Sequence, residues 1–121
     1  LSGYLLVAQH LFSDGTAFAE GWNFGPTDDD AKSVQYIVEQ MLTFWGDGAS
    51  WQLDCNAHPH EANFLRLDCS KAKLRMGWKP RWSLAISLER IVLWHKAWLG
   101  GNNMREHCLL EIRDYMHSSY I

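Results

Sequence analysis

What the chain has little of narrows the field first. It holds three cysteines, Cys55, Cys69 and Cys108, odd in number and widely spaced. A disulfide framework is therefore not expected, and a reducing cytoplasm is the compartment that fits. No apolar run approaches the roughly 20 residues that a membrane-spanning helix needs. Residues 5–7 form a short apolar patch without the charged flank and cleavage site of a secretory signal. Neither sign of charge dominates, with 11 Lys and Arg against 14 Asp and Glu. A nucleic-acid footprint would need a basic excess, so neither nucleic acid nor membrane is an expected partner.

Catalytic signatures are missing as well. No Gly-x-Gly-x-x-Gly follows an extended run, and a dinucleotide pyrophosphate needs that close backbone approach at a helix N-terminus. There is no P-loop and no Gly-x-Ser-x-Gly elbow. Tyr4, Tyr36 and Tyr115 are followed four residues later by Ala8, Gln40 and Ser119, so no Tyr-x-x-x-Lys pair is formed. No catalytic residue is assigned. An initiator methionine is also absent, and Leu1 leads straight into a helical pattern. The reading is that residue 1 is a truncation point.

What is present can build a core. Hydrophobic residues make up 47% of the 121, seven of them Trp, which excludes a disordered tail. Leu5, Leu6, Ala8, Leu11 and Phe12 recur at helical spacing, with Ser2 as a cap and Gly15 as a stop. Residues 18–24 read as a short strand ended by Gly25-Pro26, and 27–32 as an acidic solvated loop. After Ser33, Val34, Ile37, Val38, Met41, Leu42 and Trp45 draw one apolar helix face. Residues 50–53 and 63–67 read as two further short strands. Asp68 caps a short helix, Ser70–Met76, ended by Gly77. Ser83 caps a long helix whose buried face is Leu84, Leu88, Ile91, Val92, His95, Trp98 and Leu99. A last helix over 104–116 carries Cys108, Ile112, Tyr115 and Met116 on one face. The fold class expected is α+β and mainly helical, a few short strands included, as in the small lobe of a larger α/β enzyme.

The informative stretch is His58-Pro59-His60-Glu61-Ala62-Asn63, followed by Asp68-Cys69-Ser70-Lys71-Ala72 and Met76-Gly77-Trp78-Lys79-Pro80. It resembles the C-terminal segment of extended short-chain dehydrogenase/reductase enzymes that act on nucleotide sugars. Their pattern is a basic residue, Pro, two polar positions, a strand, then Asp-x-(Ser/Thr)-Lys and Leu-Gly-Trp-x-Pro. Met76 stands here for the usual Leu, and Asn63 for a bulkier polar residue. Gly21-Trp22-Asn23-Phe24-Gly25-Pro26 is similar to the family's Asn-x-Gly strand end. Trp45-Gly46-Asp47-Gly48-Ala49-Ser50-Trp51 and His58-Pro59-His60-Glu61-Ala62 look like the branch acting on CDP-glucose, which tends to carry His where other dehydratases of the family carry Arg.

The resemblance implies a parent that is an NAD-dependent nucleotide-sugar 4,6-dehydratase of α/β Rossmann fold. Residues 1–121 would be its C-terminal substrate-binding part, and the NAD-binding domain would be absent. His58, His60 and Glu61 become the substrate-binding residues. The two imidazoles are donors for a diphosphate, and the carboxylate is an acceptor for a ribose diol. The Pro59 ring stiffens the loop. Without the resemblance, histidines in a polar loop read as solvated groups. Cys55, His58 and His60 are metal-ligand types, but no fourth ligand at closed-site spacing accompanies them, and no metal is expected.

Asp68 and Lys71 read as structural, Asn23 as a tie for the end of its strand, and His95 as a packed core residue. His10, His107 and His117 read as surface groups. Trp78 and Trp82 would pack the linker on the long helix. Trp94 and Trp98 would be core, or a platform for a base. The chain alone would be an inactive nucleotide-sugar-binding portion. The alternatives are a stand-alone binding module that covers its cofactor-facing surface, for instance as a homodimer, or a nonfunctional remnant.

Overall fold

Among the described residues, five helices make up most of the structure. The computed structural model describes residues 1–54, 56 and 67–119. In chain order the helices are α1 (Ser2–Asp14), α2 (Val34–Trp45), α3 (Ser70–Met76), α4 (Leu84–Leu99) and α5 (Met104–His117), with 3-10 turns at Gly15–Phe18 and Asp28–Asp30. No strand occurs among the described residues. The chain divides into two compact units. One joins Leu1–Gly25 to Phe64–Pro80, and the other joins Pro26–Asn63 to Arg81–Ile121.

The first unit is built on aromatic stacking. α1 turns Gly3, Leu6, Val7 and His10 inward, and leaves Leu5, Leu11 and Phe12 exposed. The apolar face expected from 5, 8 and 12 is thus not the packed one. The cause is Gly3, where the ring of Phe24 lies against bare helix backbone, in space that a Cβ would occupy. Phe24 meets Trp78 edge to face at 4.9 Å and Tyr4 at 5.7 Å. Trp78 also donates from its indole Nε1 to the Ser2 hydroxyl at 3.2 Å. Ser2 therefore anchors Trp78 and is not the cap, a position held by Leu1. Further along, His10 stacks on Phe18 at 4.3 Å, and Phe18 on Trp22 at 5.7 Å. His10 is half-buried, not a free surface group.

In the second unit α4 packs against both α2 and α5. Ser33 and Ser83 cap α2 and α4 as the sequence indicates, accepting from Tyr36 N–H at 3.2 Å and Ile86 N–H at 3.3 Å. Asp30 adds a bond from Leu84 N–H to its Oδ2 at 3.0 Å, so the acidic run is not merely solvated. Leu88 and Val92, 5% and 1% exposed, form the centre of α4's packed face. Ile91, Trp98 and Leu99 were expected beside them and are instead exposed. His95 is half-buried between Trp45 and Trp98, at 5.6 and 5.2 Å. Gly101 takes φ 74, a left-handed turn that an L side chain would strain, and Asn103 caps α5 through Glu106 N–H.

The polar side of α5 faces α4. Arg90 reaches Glu111 at 3.0 Å and Asp114 at 3.2 Å, which holds its guanidinium pKa above the ordinary value. Trp94 Nε1 donates to Cys108 Sγ at 3.3 Å, and Trp82 meets Tyr115 edge to face at 5.0 Å. These pairings fix the rotation of α5. They bring His107, Cys108, Glu111 and Tyr115 inward and turn Ile112 and Met116 to solvent, so the face read from the sequence is only partly packed.

The strands expected over 18–24 and 50–53 are not formed. Phe18 closes a 3-10 turn, and neither segment has a ladder partner among the described residues. The third, over 63–67, lies outside the described residues except for Leu67. If the face of α4 is as described, Leu88→Ala lowers the unfolding free energy by about 2–5 kcal/mol. Leu99→Ala, at 61% exposed, stays within about 0.5 kcal/mol. Urea unfolding of the two variants checks the pair.

Candidate functional site

The site residues read from the sequence, His58, His60 and Glu61, lie outside the described residues, as does Cys55. What is described is the frame on the C-terminal side of their loop, residues 67–76, in the first unit. Its anchor is α3. The Asp68 carboxylate accepts Ser70 N–H at 2.8 Å. That bond satisfies one of the orphan donors at the helix start, from one position ahead of the formal cap, Cys69. Hydrogen bonds from Ser70 hold the Asp68 carboxyl below its usual pKa, with help from the Lys73 charge. At the other end Gly77 adopts φ 64, a left-handed turn that ends the helix. Trp78 N–H then returns to Ala72 C=O at 3.3 Å.

α3 is held to residues 20–25 by three sets of bonds. Asn23 donates from Nδ2 to the Asp68 carbonyl at 3.2 Å, which is a tying role. Lys71 donates to the Gly21 carbonyl at 2.9 Å and pairs with Glu20 at 2.6 Å. Arg75 pairs with the other Glu20 oxygen and donates to the Ala17 carbonyl at 3.1 Å. Both cations lie over the Trp22 ring, Lys71 at 4.5 Å and Arg75 at 5.1 Å. Cys69 is buried beside Gly25, where an added Cβ would come within 3.3 Å of its Sγ. The chain leaving the candidate loop is thus fixed at Asp68, Cys69 and Lys71.

Glu20 and Trp22 are the members of this frame that sequence reasoning did not single out. An alternation of acid and aromatic at 20 and 22, facing cations at 71 and 75, was the available signal. It becomes readable only once the two segments are known to lie side by side. Trp78 belongs to this unit with Phe24, and only Trp82 packs on the long helix, under Arg90 at 5.5 Å. Among the described residues no group of three or more His, Cys, Asp and Glu could hold a metal ion. No described helix is long and apolar enough to cross a membrane.

Chemically, the frame is a support. Glu20, Lys71 and Arg75 are paired with one another, and Asp68 accepts from the Ser70 backbone. The hydrogen bond from Lys71, with that from Arg75, holds the Glu20 carboxyl below the ordinary carboxylate range. An acid with a depressed pKa stabilises the fold while ionised. Its contribution is present above the unfolded-state pKa and fades as pH falls through the lower folded value. Glu20→Gln is therefore less stable than the parent at pH 7, and the gap closes as the pH drops below the carboxylate range. Urea midpoints of both proteins across that window provide the measurement, and an unchanging gap would contradict the pairing.

No family model matches the chain. The sequence is 57% identical over 119 residues, 98% of its length, to the CDP-glucose 4,6-dehydratase of Salmonella typhimurium strain LT2. It spans only 33% of that protein. Nearly the whole chain is thus similar to the C-terminal portion of a CDP-glucose 4,6-dehydratase.

Proposed function

We propose that residues 1–121 are the nucleotide-sugar-binding portion of a dehydratase acting on CDP-glucose. The observation that carries this is the 57% identity over 98% of the chain. The parent's reaction would convert CDP-glucose to CDP-4-keto-6-deoxyglucose and water, a step toward deoxysugars of O-antigen and lipopolysaccharide. It belongs with the extended short-chain dehydrogenase/reductase enzymes and would work in the cytoplasm.

The parent would use NAD on a Rossmann domain. The residues here do not fit that cofactor, because no glycine-rich turn enters a helix and no Tyr-x-x-x-Lys pair exists. No chemical step is therefore assigned to this chain. Its work is recognition. His58 and His60 donate to the diphosphate, Glu61 accepts from the ribose diol, and Pro59 restricts the loop that carries them. Asp68, Asn23 and the Glu20 cluster hold residues 67–76, which follow that loop in the sequence.

Two measurements test this reading. Calorimetric titration with CDP gives saturable binding, and His58→Ala and Glu61→Ala each weaken it about tenfold or more, since each removes a charge-assisted bond of about 1.5–3 kcal/mol. Unchanged affinity in both variants would overturn the site. The purified chain supplied with CDP-glucose and NAD forms no 4-keto product, and detecting that product would show that catalysis resides here after all.

A further inference from the structure

The chain holds two Asp-Gly pairs, Asp14-Gly15 and Asp47-Gly48, and no Asn-Gly. At such a pair the glycine nitrogen can attack the preceding side-chain carboxyl, because no Cβ crowds the approach. The two pairs share this local chemistry and differ in their surroundings.

Asp14 ends α1, and its Oδ2 is engaged by His10 Nδ1 at 2.8 Å and by the Ser13 hydroxyl at 3.4 Å. Asp47 stands at the tip of the turn that follows α2. Ala49 N–H donates to Gly46 C=O at 3.2 Å, and φ is 55 at Asp47 and 69 at Gly48, as in a type I′ turn. Asp47 is the only non-glycine with positive φ among the described residues, a conformation that costs an L side chain energy. Gly46, Asp47 and Gly48 are exposed, and a Cβ placed on Gly48 would meet nothing within 4 Å. Among the described residues neither the Asp47 carboxylate nor the Gly48 N–H has a hydrogen-bond or ion-pair partner. Nucleophile and electrophile are therefore adjacent, unengaged and uncrowded.

We infer that Asp47 is a site of spontaneous backbone modification, through a succinimide to isoaspartate. The Gly48 nitrogen gives up its proton and bonds to Cγ of the neutral Asp47 carboxyl, whose hydroxyl leaves with a proton as water. Water then adds to either carbonyl of the five-membered ring. Opening at the side-chain carbonyl restores aspartate, and opening at the main-chain carbonyl leaves the chain running through Cβ. One water leaves and one returns, so the mass is unchanged and no other reactant is needed. The added methylene breaks the spacing of the Gly46–Ala49 turn. α2 survives it, because Lys96 Nζ donates to the Phe44 and Trp45 carbonyls ahead of the turn. The inference concerns this turn alone and stands whether or not the chain binds CDP.

Peptide mapping of the 121-residue chain tests it, after equal incubation folded and in guanidinium chloride, at physiological temperature and mildly acidic pH. Isoaspartate is read as a peptide of unchanged mass and altered retention, placed by fragmentation. The unfolded chain forms it at both pairs at similar rates. In the folded chain Asp47 keeps close to its unfolded rate while Asp14 falls at least about fivefold, since a loop tip opens at almost no cost and a paired helix end does not. Asp47→Glu removes the product at that pair, because its ring would need one more member, and keeps the helical circular dichroism signal. Equal rates at the two pairs in the folded chain, or an Asp47 rate that folding suppresses as strongly as that of Asp14, overturns the inference.

Discussion

Glu20 sits between two cations of a single helix, and the placement of α3 in the first unit depends on that arrangement. Lys71 and Arg75 lie four residues apart, one turn of α3, so both reach the same carboxylate and the same Trp22 ring. The carboxylate supplies attraction and the indole supplies area. Neither residue alone would hold an exposed seven-residue helix, which is too short to be stable by itself. With α3 held, Asp68 and Cys69 are placed. The clamp is partly exposed, so its strength depends on ionisation and on salt more than the aromatic stack beside it does.

The second unit distributes its groups in a less common way. Arg90, Glu111 and Asp114 form a charged cluster between α4 and α5, and several apolar side chains look outward. Arg90 explains this, because two carboxylates of α5 converge on one guanidinium and fix the helix rotation. An apolar seam there would have turned Ile112 and Met116 inward. The observed rotation leaves both of them exposed.

Much of this architecture could be read from residue order, and the failures share a cause. Helix limits were legible because caps and stops act locally, as at Ser33, Ser83, Gly77 and the Gly100–Asn103 stretch. The role of Asp68 was legible for the same reason, although it acts one position ahead of the formal cap. Faces were less legible. Gly3 carries no hydrophobic signal, yet it marks the packed side of α1, since only a missing side chain admits Phe24. Ile91 and Leu99 fit the periodicity of α4 but lie off the packed line through Leu88 and Val92. Strands at 18–24 and 50–53 were predicted from composition, and a strand exists only with a partner. The nucleotide-binding assignment came from the resemblance of residues 58–61 to one enzyme branch, and those residues lie outside the described ones.

The account's central claim is that a short loop recognises the nucleotide while the Glu20 clamp and α3 only support it. Backbone amide shifts in a 1H–15N correlation spectrum, recorded while CDP is added to the chain, test that division directly. The account predicts saturable shifts centred on His58, His60 and Glu61, fading through Asp68 and small at Trp22 and Arg75. Shifts largest around Trp22 and Arg75, or none at residues 58–61 at saturating CDP, would contradict it.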